Sequence, residues 1–416
     1  MPASASLFRL RSFNSFNSFV LRSSVAALAS ALMLSTALAQ NATPVPSSAA
    51  AAASTESAVS TSATPVSGIN DGPYAFYQSP TQPDKGGLDV SWICNDQLQK
   101  QSFTSSANIS LPAACGYPQA LTIRPAETAF PATIKFKTDK LAAISDIHGQ
   151  FDLMLKLLQA NGIINQDWQW TYGKGHLVIT GDVLDRGPKV TEALWLLYAL
   201  EAQASAAGGG VHLLLGNHEA ISMAGDVRYL NKKYAAVAQH LNVSYQQMFD
   251  NSSVLGRWLR SKPVIVQVND MLFMHGGLHP DHQNLNMSLQ QINEKYRSTL
   301  GLSKAQVKTD DVLSWLYGSI GPLWYRGYFN APKLPLADLD KMLQQLKLER
   351  IVVGHTTMDG VYSHYQGKVI SIDSGIKGGV KGEMLFWEKG QLSKAGVDGQ
   401  KVAVPDAPEK RKDAGD

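Results

Sequence analysis

Gly181-Asp182-Val183-Leu184-Asp185-Arg186-Gly187 decides the reading of this chain. It follows the apolar run His176-Leu177-Val178-Ile179-Thr180 and precedes a helical stretch at 188–206. An apolar run that ends in a polar loop bounded by glycine reads as a strand presenting its chemistry at its C-terminal end. The same form recurs at 141–145 and 211–215, with a further helical stretch at 150–160. This alternation predicts βαβ units with parallel strands, an α/β fold. Residues 264–268 and 271–275, joined at Asn269-Asp270, predict a hairpin, and 350–354, 368–372 and 382–387 predict the remaining strands.

Four more segments fall at predicted strand ends: Ser145-Asp146-Ile147-His148-Gly149, Gly216-Asn217-His218-Glu219, His275-Gly276-Gly277 and Gly354-His355-Thr356. Asp146 and His148 stand two apart, so an extended strand end turns both to one side. Carboxylate, imidazole and amide oxygen are good ligands for Mn, Fe, Zn or Mg. Asp182 has two oxygens and can bridge two ions, with Asn217, His275 and His355 completing the second. Two close divalent ions activate a water and neutralise phosphoryl oxygens during in-line displacement. Arg186 can grip a phosphate oxygen. His218 can protonate the leaving oxygen, held cationic by Asp185. The glycines let backbone turn sharply beside these groups.

The ordered set DxH, GDxxDRG, GNHE, HGG and GH resembles the calcineurin-like metallophosphoesterases. Within them it is similar to phosphoprotein phosphatases, most of all the bacterial branch called Shewanella-like protein phosphatases. The resemblance runs over residues 137–387. It implies a four-layer α-β-β-α sandwich and two divalent metal ions, manganese favoured. It implies Asp146 and His148 on the first metal, Asp182 bridging, and Asn217, His275 and His355 on the second. It makes His218 the general acid with Asp185 its partner, and Arg186 a phosphate clamp. A second clamp is assigned to Arg326, because the family's arginine lies between its last two metal histidines; other arginines are available in that interval, notably Arg297. Where the eukaryotic enzymes carry a loop with Ala-Pro-Asn-Tyr, this chain reads Ile372-Asp373-Ser374-Gly375-Ile376, so their regulation is not carried over.

Around this core, residues 220–262 and 281–347 are helical in pattern and rich in aromatics, a predicted cap. Trp324, Tyr325, Tyr328 and Phe329 beside Arg326 read either as cap core or as a wall for an aromatic phosphoester. Arg9, Arg11 and Arg22, the apolar run 25–38 and Ala37-Leu38-Ala39 predict a signal peptide over 1–39, with export to the periplasm and no membrane span after cleavage. Its removal takes the formal charge from +3 to zero, and no Lys/Arg block is left to suggest nucleic acid. Residues 41–67, almost entirely Ala, Ser, Thr, Pro and Val, predict a disordered linker over 40–72, and the charged stretch 398–416 predicts a disordered tail. Residues 73–136 predict an irregular N-terminal extension laid on the catalytic domain at 137–397. It carries Cys94 and Cys115, which in an oxidising compartment form a natural disulfide worth about 2–4 kcal/mol, or else are two unrelated buried thiols.

The leading functional expectation is a phosphomonoesterase acting on phosphoprotein, at serine/threonine or tyrosine, or on a small phosphoester. The alternatives are a dinucleoside polyphosphate hydrolase, a general periplasmic phosphatase, and, most remotely, a non-catalytic binding module. Asp185 favours the monoesterase, since a nucleotide leaving group needs less protonation. The sequence carries no signal for oligomeric state.

Overall fold

The computed structural model describes residues 66–82, 86–104, 108–124 and 134–408. Strands β1 (Asn70–Tyr77), β2 (Leu88–Cys94) and β3 (Gln97–Phe103) form an antiparallel sheet, followed by a ladder of β4 (Ile109–Leu111) and β5 (Leu121–Ile123). Next come β6 (Lys135–Phe136), β7 (Lys140–Ile144), α1 (Phe151–Ala160), β8 (His176–Ile179), α2 (Val190–Ala206) and β9 (Gly210–Leu213). Helices α3 (Asn217–Met223), α4 (Lys232–Leu241) and α5 (Val254–Arg260) precede the hairpin of β10 (Ile265–Val268) and β11 (Met271–Met274). Helices α6 (Leu289–Thr299), α7 (Lys304–Val307), α8 (Asp311–Leu316) and α9 (Leu336–Leu346) lead to β12 (Arg350–Val353), β13 (Tyr362–His364) and β14 (Val369–Ser371). The last strands are β15 (Met384–Glu388), β16 (Gln391–Ala395) and β17 (Val402–Ala403).

Two six-stranded sheets carry the core, in the orders β17-β16-β15-β7-β8-β9 and β13-β14-β12-β11-β10-β6. β7, β8 and β9 are parallel, as are β11, β12 and β14, whereas β10 and β11 form the antiparallel hairpin expected at Asn269-Asp270. Alternation along each strand builds the layers, because successive side chains leave opposite faces. Leu141, Ala143 and Val178 share one buried cluster with Val268, Phe273, Val352 and Ile370 of the other sheet. Their neighbours Ala142, Ile144, Leu177, Ile179, Ile351 and Val353 belong instead to the larger cluster shared with the helices. The result is the α-β-β-α sandwich with a helical cap.

Three expectations are corrected. The linker does not extend to residue 72, since β1 begins at Asn70. The extension carries the β1–β3 sheet and the β4–β5 ladder rather than irregular chain, because packing overrides its Pro and Gly residues: the Trp195 indole of α2 donates to Pro73 O at 2.8 Å. Residues 398–408 are not disordered, because the open edge of β16 accepts β17 through main-chain bonds that need no particular side chains, and Ala407 N donates to Ser363 O at 2.9 Å. Cys94 and Cys115 stand at disulfide distance, their Cα atoms 5.4 Å apart. The signal peptide at 1–39, most of the linker and residues 409–416 lie outside the described residues. Among the described residues no helix is long and apolar enough to cross a membrane.

Candidate active site

The parallel strands bring their C-terminal ends to one edge. Asp146 and His148 follow β7, Asp182, Asp185 and Arg186 follow β8, Asn217 and His218 open α3, and His275 and His355 follow β11 and β12. The backbone there is strained. Asp146, His148, Asp182, Asp185, Arg186 and His355 all hold left-handed φ, between 47° and 69°. Such conformations cost roughly 1–3 kcal/mol each for non-glycine residues and persist only where surroundings over-determine them.

Glu219 supplies much of that determination. Its fully buried carboxylate accepts four backbone N–H bonds, from Val183 and Leu184 at 2.8 and 3.0 Å and from Asp182 and Gly216 at 2.9 and 2.7 Å. It therefore pins the loop after β8 to the loop after β9. Gly216 and Gly354 permit the closest approaches: a Cβ on either would collide with the Asp182 or Asp146 carboxylate.

Asp182 lies at the centre. Its Oδ2 stands 3.2 Å from His275 Nε2, 3.4 Å from His148 Nε2 and 3.9 Å from His218 Nε2. His275 Nε2 also meets Asn217 Oδ1 at 2.9 Å and His355 Nδ1 at 3.1 Å. The other ring nitrogens are spoken for. His148 Nδ1 bonds to Leu184 O at 2.7 Å and His275 Nδ1 to Thr180 O at 2.9 Å. A carbonyl partner makes each Nδ1 the N–H donor and leaves the lone pair on Nε2.

Acceptors thus face acceptors inside the fold, an arrangement that calls for a cation between them. Burial pushes His148 down to about 3, and burial with the neighbouring His275 pushes His355 down to about 2, so both rings are neutral and ready to ligate. Burial also acts to lower His275, but Asp182 outweighs it and raises His275 to about 9. The donor set fits divalent metals. The ligand atoms of Asp182, His275 and His355 lie within 4.8 Å of one another, and so do those of His148, Asp182 and His218. The second triplet differs from the expected one in having His218 where Asp146 was placed. Asp146 lines the same cleft, with its Oδ2 engaged by Ser145 Oγ at 2.5 Å and His355 N at 3.0 Å.

His218 Nδ1 is 2.7 Å from Asp185 Oδ2, and Ser222 Oγ donates to both Asp185 oxygens at 3.1 and 3.2 Å. That bond leaves His218 Nε2 on the side of Asp182 and of Arg186, whose Nη2 is 3.4 Å away. Arg326 donates to His355 O at 2.8 Å and to Thr356 Oγ1 at 3.2 Å and lines the cleft. Arg297 is exposed on α6 and is not among the cleft-lining residues.

The cleft holds about 910 Å³. Of the aromatic cluster at 324–329, only Trp324 reaches it; Tyr325, Tyr328 and Phe329 are buried, and Tyr328 OH bonds with Leu278 N and O. The aromatic wall is made instead by Trp324, Tyr317 and Tyr229. Tyr229, which no motif signalled, lies 4.8 Å from the His218 ring and 5.1 Å below the Arg186 guanidinium. His279 packs against Tyr325 and is likewise not among the cleft-lining residues. His176 and His212 pair with each other at 2.8 Å, away from the site. Asp152 accepts from Lys189 on the surface of α1.

A sandwich whose strand ends gather carboxylates, imidazoles and an amide around one central aspartate, with guanidinium groups alongside, is built for metal-dependent phosphoester hydrolysis. The chain belongs to the calcineurin-like phosphoesterases, whose family match spans residues 140–358. It is 31% identical to an uncharacterised protein of Schizosaccharomyces pombe over 61% of this chain and 77% of that one. It is 26% identical to Shewanella-like protein phosphatase 2 of Arabidopsis thaliana over 58% of this chain and 73% of the other. Among solved structures, the cold-active protein-tyrosine phosphatase of a psychrophilic Shewanella superposes with a TM-score of 0.76 at 37% identity, covering 81% of this chain and 99% of that one. The protein is a metal-dependent phosphoester hydrolase.

Proposed function

We propose that the protein is a phosphomonoesterase acting on phosphoprotein, using two divalent ions of which manganese is favoured, and that it is exported to the periplasm. The His218–Asp185 pair carries this reading. An anhydride releases a weakly basic leaving group, whereas a monoester releases an alkoxide or phenoxide that must be protonated. A buried carboxylate bonded to the imidazole serves the second task.

Asp146, His148, Asp182, Asn217, His275 and His355 hold the ions, which supply an activated water and charge neutralisation when bound. Arg186 and Arg326, which both line the cleft, bind the phosphoryl oxygens. Guanidinium suits this because its planar fork matches phosphate geometry. With a proton on each ring nitrogen, His218 keeps its Nδ1–H on the Asp185 carboxylate and gives the Nε2 proton to the leaving oxygen, which leaves the imidazole neutral. Tyr229 stands against the acid and forms the wall on the leaving-group side. With Tyr317 and Trp324 it suits an aromatic ester, and the similar Shewanella protein being a protein-tyrosine phosphatase is consistent with that.

The test is turnover of para-nitrophenyl phosphate and of phosphotyrosine and phosphoserine peptides by protein beginning at Gln40, after chelation and after manganese is restored. Metal-dependent release of phosphate from peptides, with diadenosine polyphosphates inert, is the expected result. Turnover of the dinucleotides alone would refute the monoesterase.

Export predicts two further observations. Protein secreted by its native route begins at Gln40 by intact mass, and Cys94 and Cys115 resist thiol labelling under denaturing, non-reducing conditions. A retained N-terminus would sink the cleavage claim, and two labelled thiols would sink the bridge.

A further inference from the structure

The N-terminal sheet lies outside residues 140–358, yet it sends a fully buried carboxylate into the catalytic domain. Asp71 of β1 places Oδ2 at 2.5 Å from Lys233 Nζ, and its Oδ1 accepts from Tyr74 OH at 2.8 Å and Gly72 N at 2.7 Å. Lys233 also lies 3.6 Å from Glu192. Burial and the charge on Asp71 raise Glu192 to about 8, so near neutral pH the counter-charge of Lys233 is Asp71.

Lys233 stands where a helix least favours it. It is in the first turn of α4, beside Lys232, and the N-terminal end of the helix dipole repels cations. A broken local rule with a buried partner points to a compensating role elsewhere. That role is legible in what the same turn touches. Asn231, the N-cap, accepts from Lys233 N at 3.0 Å and donates from Nδ2 to Arg186 O at 2.8 Å. Tyr234 OH donates to Pro188 O at 3.2 Å and accepts from Thr191 N at 3.0 Å. Tyr229 O accepts from Arg186 N at 2.9 Å. The start of α4 and the residues before it therefore hold the backbone on both sides of Arg186, where Asp185 and Arg186 are successive left-handed residues.

We propose that Asp71 is a positioning residue for phosphate binding: through Lys233 it fixes the N-terminal turn of α4, which clamps the strained Arg186 loop. The N-terminal sheet is then a working part of the active site. The sheet has other anchors, including Trp195 on Pro73 and Tyr77 N on Ser252 O, so losing Asp71 need not undock it. The proposal rests on the assignment of Arg186 as a phosphate ligand.

The experiment is a double-mutant cycle in the full chain loaded with manganese. Asp71→Asn, Arg186→Ala and the pair together are compared by the competitive inhibition constant of inorganic phosphate, with thermal unfolding followed alongside. Asp71→Asn keeps an acceptor for Tyr74, and Glu192 stands by to balance Lys233. Should it fail to fold, Asp71→Asn with Lys233→Met removes both charges and replaces it in the cycle, since removing both partners of a buried pair is better tolerated than removing one. Phosphate affinity is expected to fall roughly three- to tenfold with Asp71→Asn, and this loss is expected to vanish when Arg186 is already alanine. A merely structural role would give the same loss in both backgrounds, which would overturn the proposal, as would unchanged phosphate affinity in the folded variant. Arg186→Ala that binds phosphate as the wild type does would instead overturn the assignment of Arg186, and the proposal with it.

Discussion

Asp182→Asn is expected to abolish turnover, with a fall on the order of a thousandfold or more, because it removes the anion on which the metal centre depends. Asp182 is the carboxylate common to both ligand triplets, and its Oδ2 faces three imidazole nitrogens within 3.9 Å. Burial works against its charge, but His275, His218 and His148 hold its pKa well below the usual carboxylate range. An asparagine there has the same shape and can still accept from His218 N through Oδ1, a bond of 2.9 Å in the parent. Its backbone N–H still reaches Glu219. The fold is therefore expected to survive while the divalent charge loses its counter-ion. The measurement is metal content by emission spectroscopy after manganese loading and gel filtration, beside turnover of para-nitrophenyl phosphate. A variant that keeps its full metal content and its rate would mean that the ions are not bridged by Asp182.

The chemistry of this site was legible because it is local in sequence. Each candidate ligand sits at the end of an apolar run, and parallel pairing carries those ends to one edge, so Asp146, His148, Asp182, Asn217, His275 and His355 could be gathered from the sequence. Glu219 was visible inside Gly216-Asn217-His218-Glu219 but had no role, because its four partners are backbone N–H groups, which no side-chain pattern records. The left-handed φ of Asp146, His148, Asp182, Asp185, Arg186 and His355 was equally hidden, since side chains of this kind avoid that region unless tertiary contacts impose it. The aromatic cluster was left between two readings for a related reason. Tyr325, Tyr328 and Phe329 take the cap-core alternative, only Trp324 lines the cleft, and Tyr229 takes the position beside the acid. The strand at Asn70 and the Asp71–Lys233 pair span long separations, and only packing could show them.

His218→Ala is the second large effect, and its value lies in how the loss depends on the leaving group. A general acid contributes about a hundred- to ten-thousandfold, and the contribution grows with the basicity of the departing oxygen. Loss with an alkyl phosphate such as a phosphoserine peptide is therefore expected to approach the upper end. Loss with para-nitrophenyl phosphate, whose phenolate leaves readily, is expected to be much smaller. Asp185→Asn should reproduce the trend more weakly, because the 2.7 Å bond to Nδ1 then loses its charge while the imidazole stays in place. The competing account is that His218 is a ligand, since its nitrogen falls within the 4.8 Å triplet with His148 and Asp182. A ligand would be lost differently. Metal content would drop in His218→Ala, and both leaving groups would suffer alike, because the charge neutralisation supplied by the ions acts on the phosphoryl oxygens common to every ester. Undiminished metal with a steep dependence on the leaving group assigns the proton to His218. Equal losses with metal depleted would move His218 into the coordination sphere and leave the departing oxygen to be protonated by water.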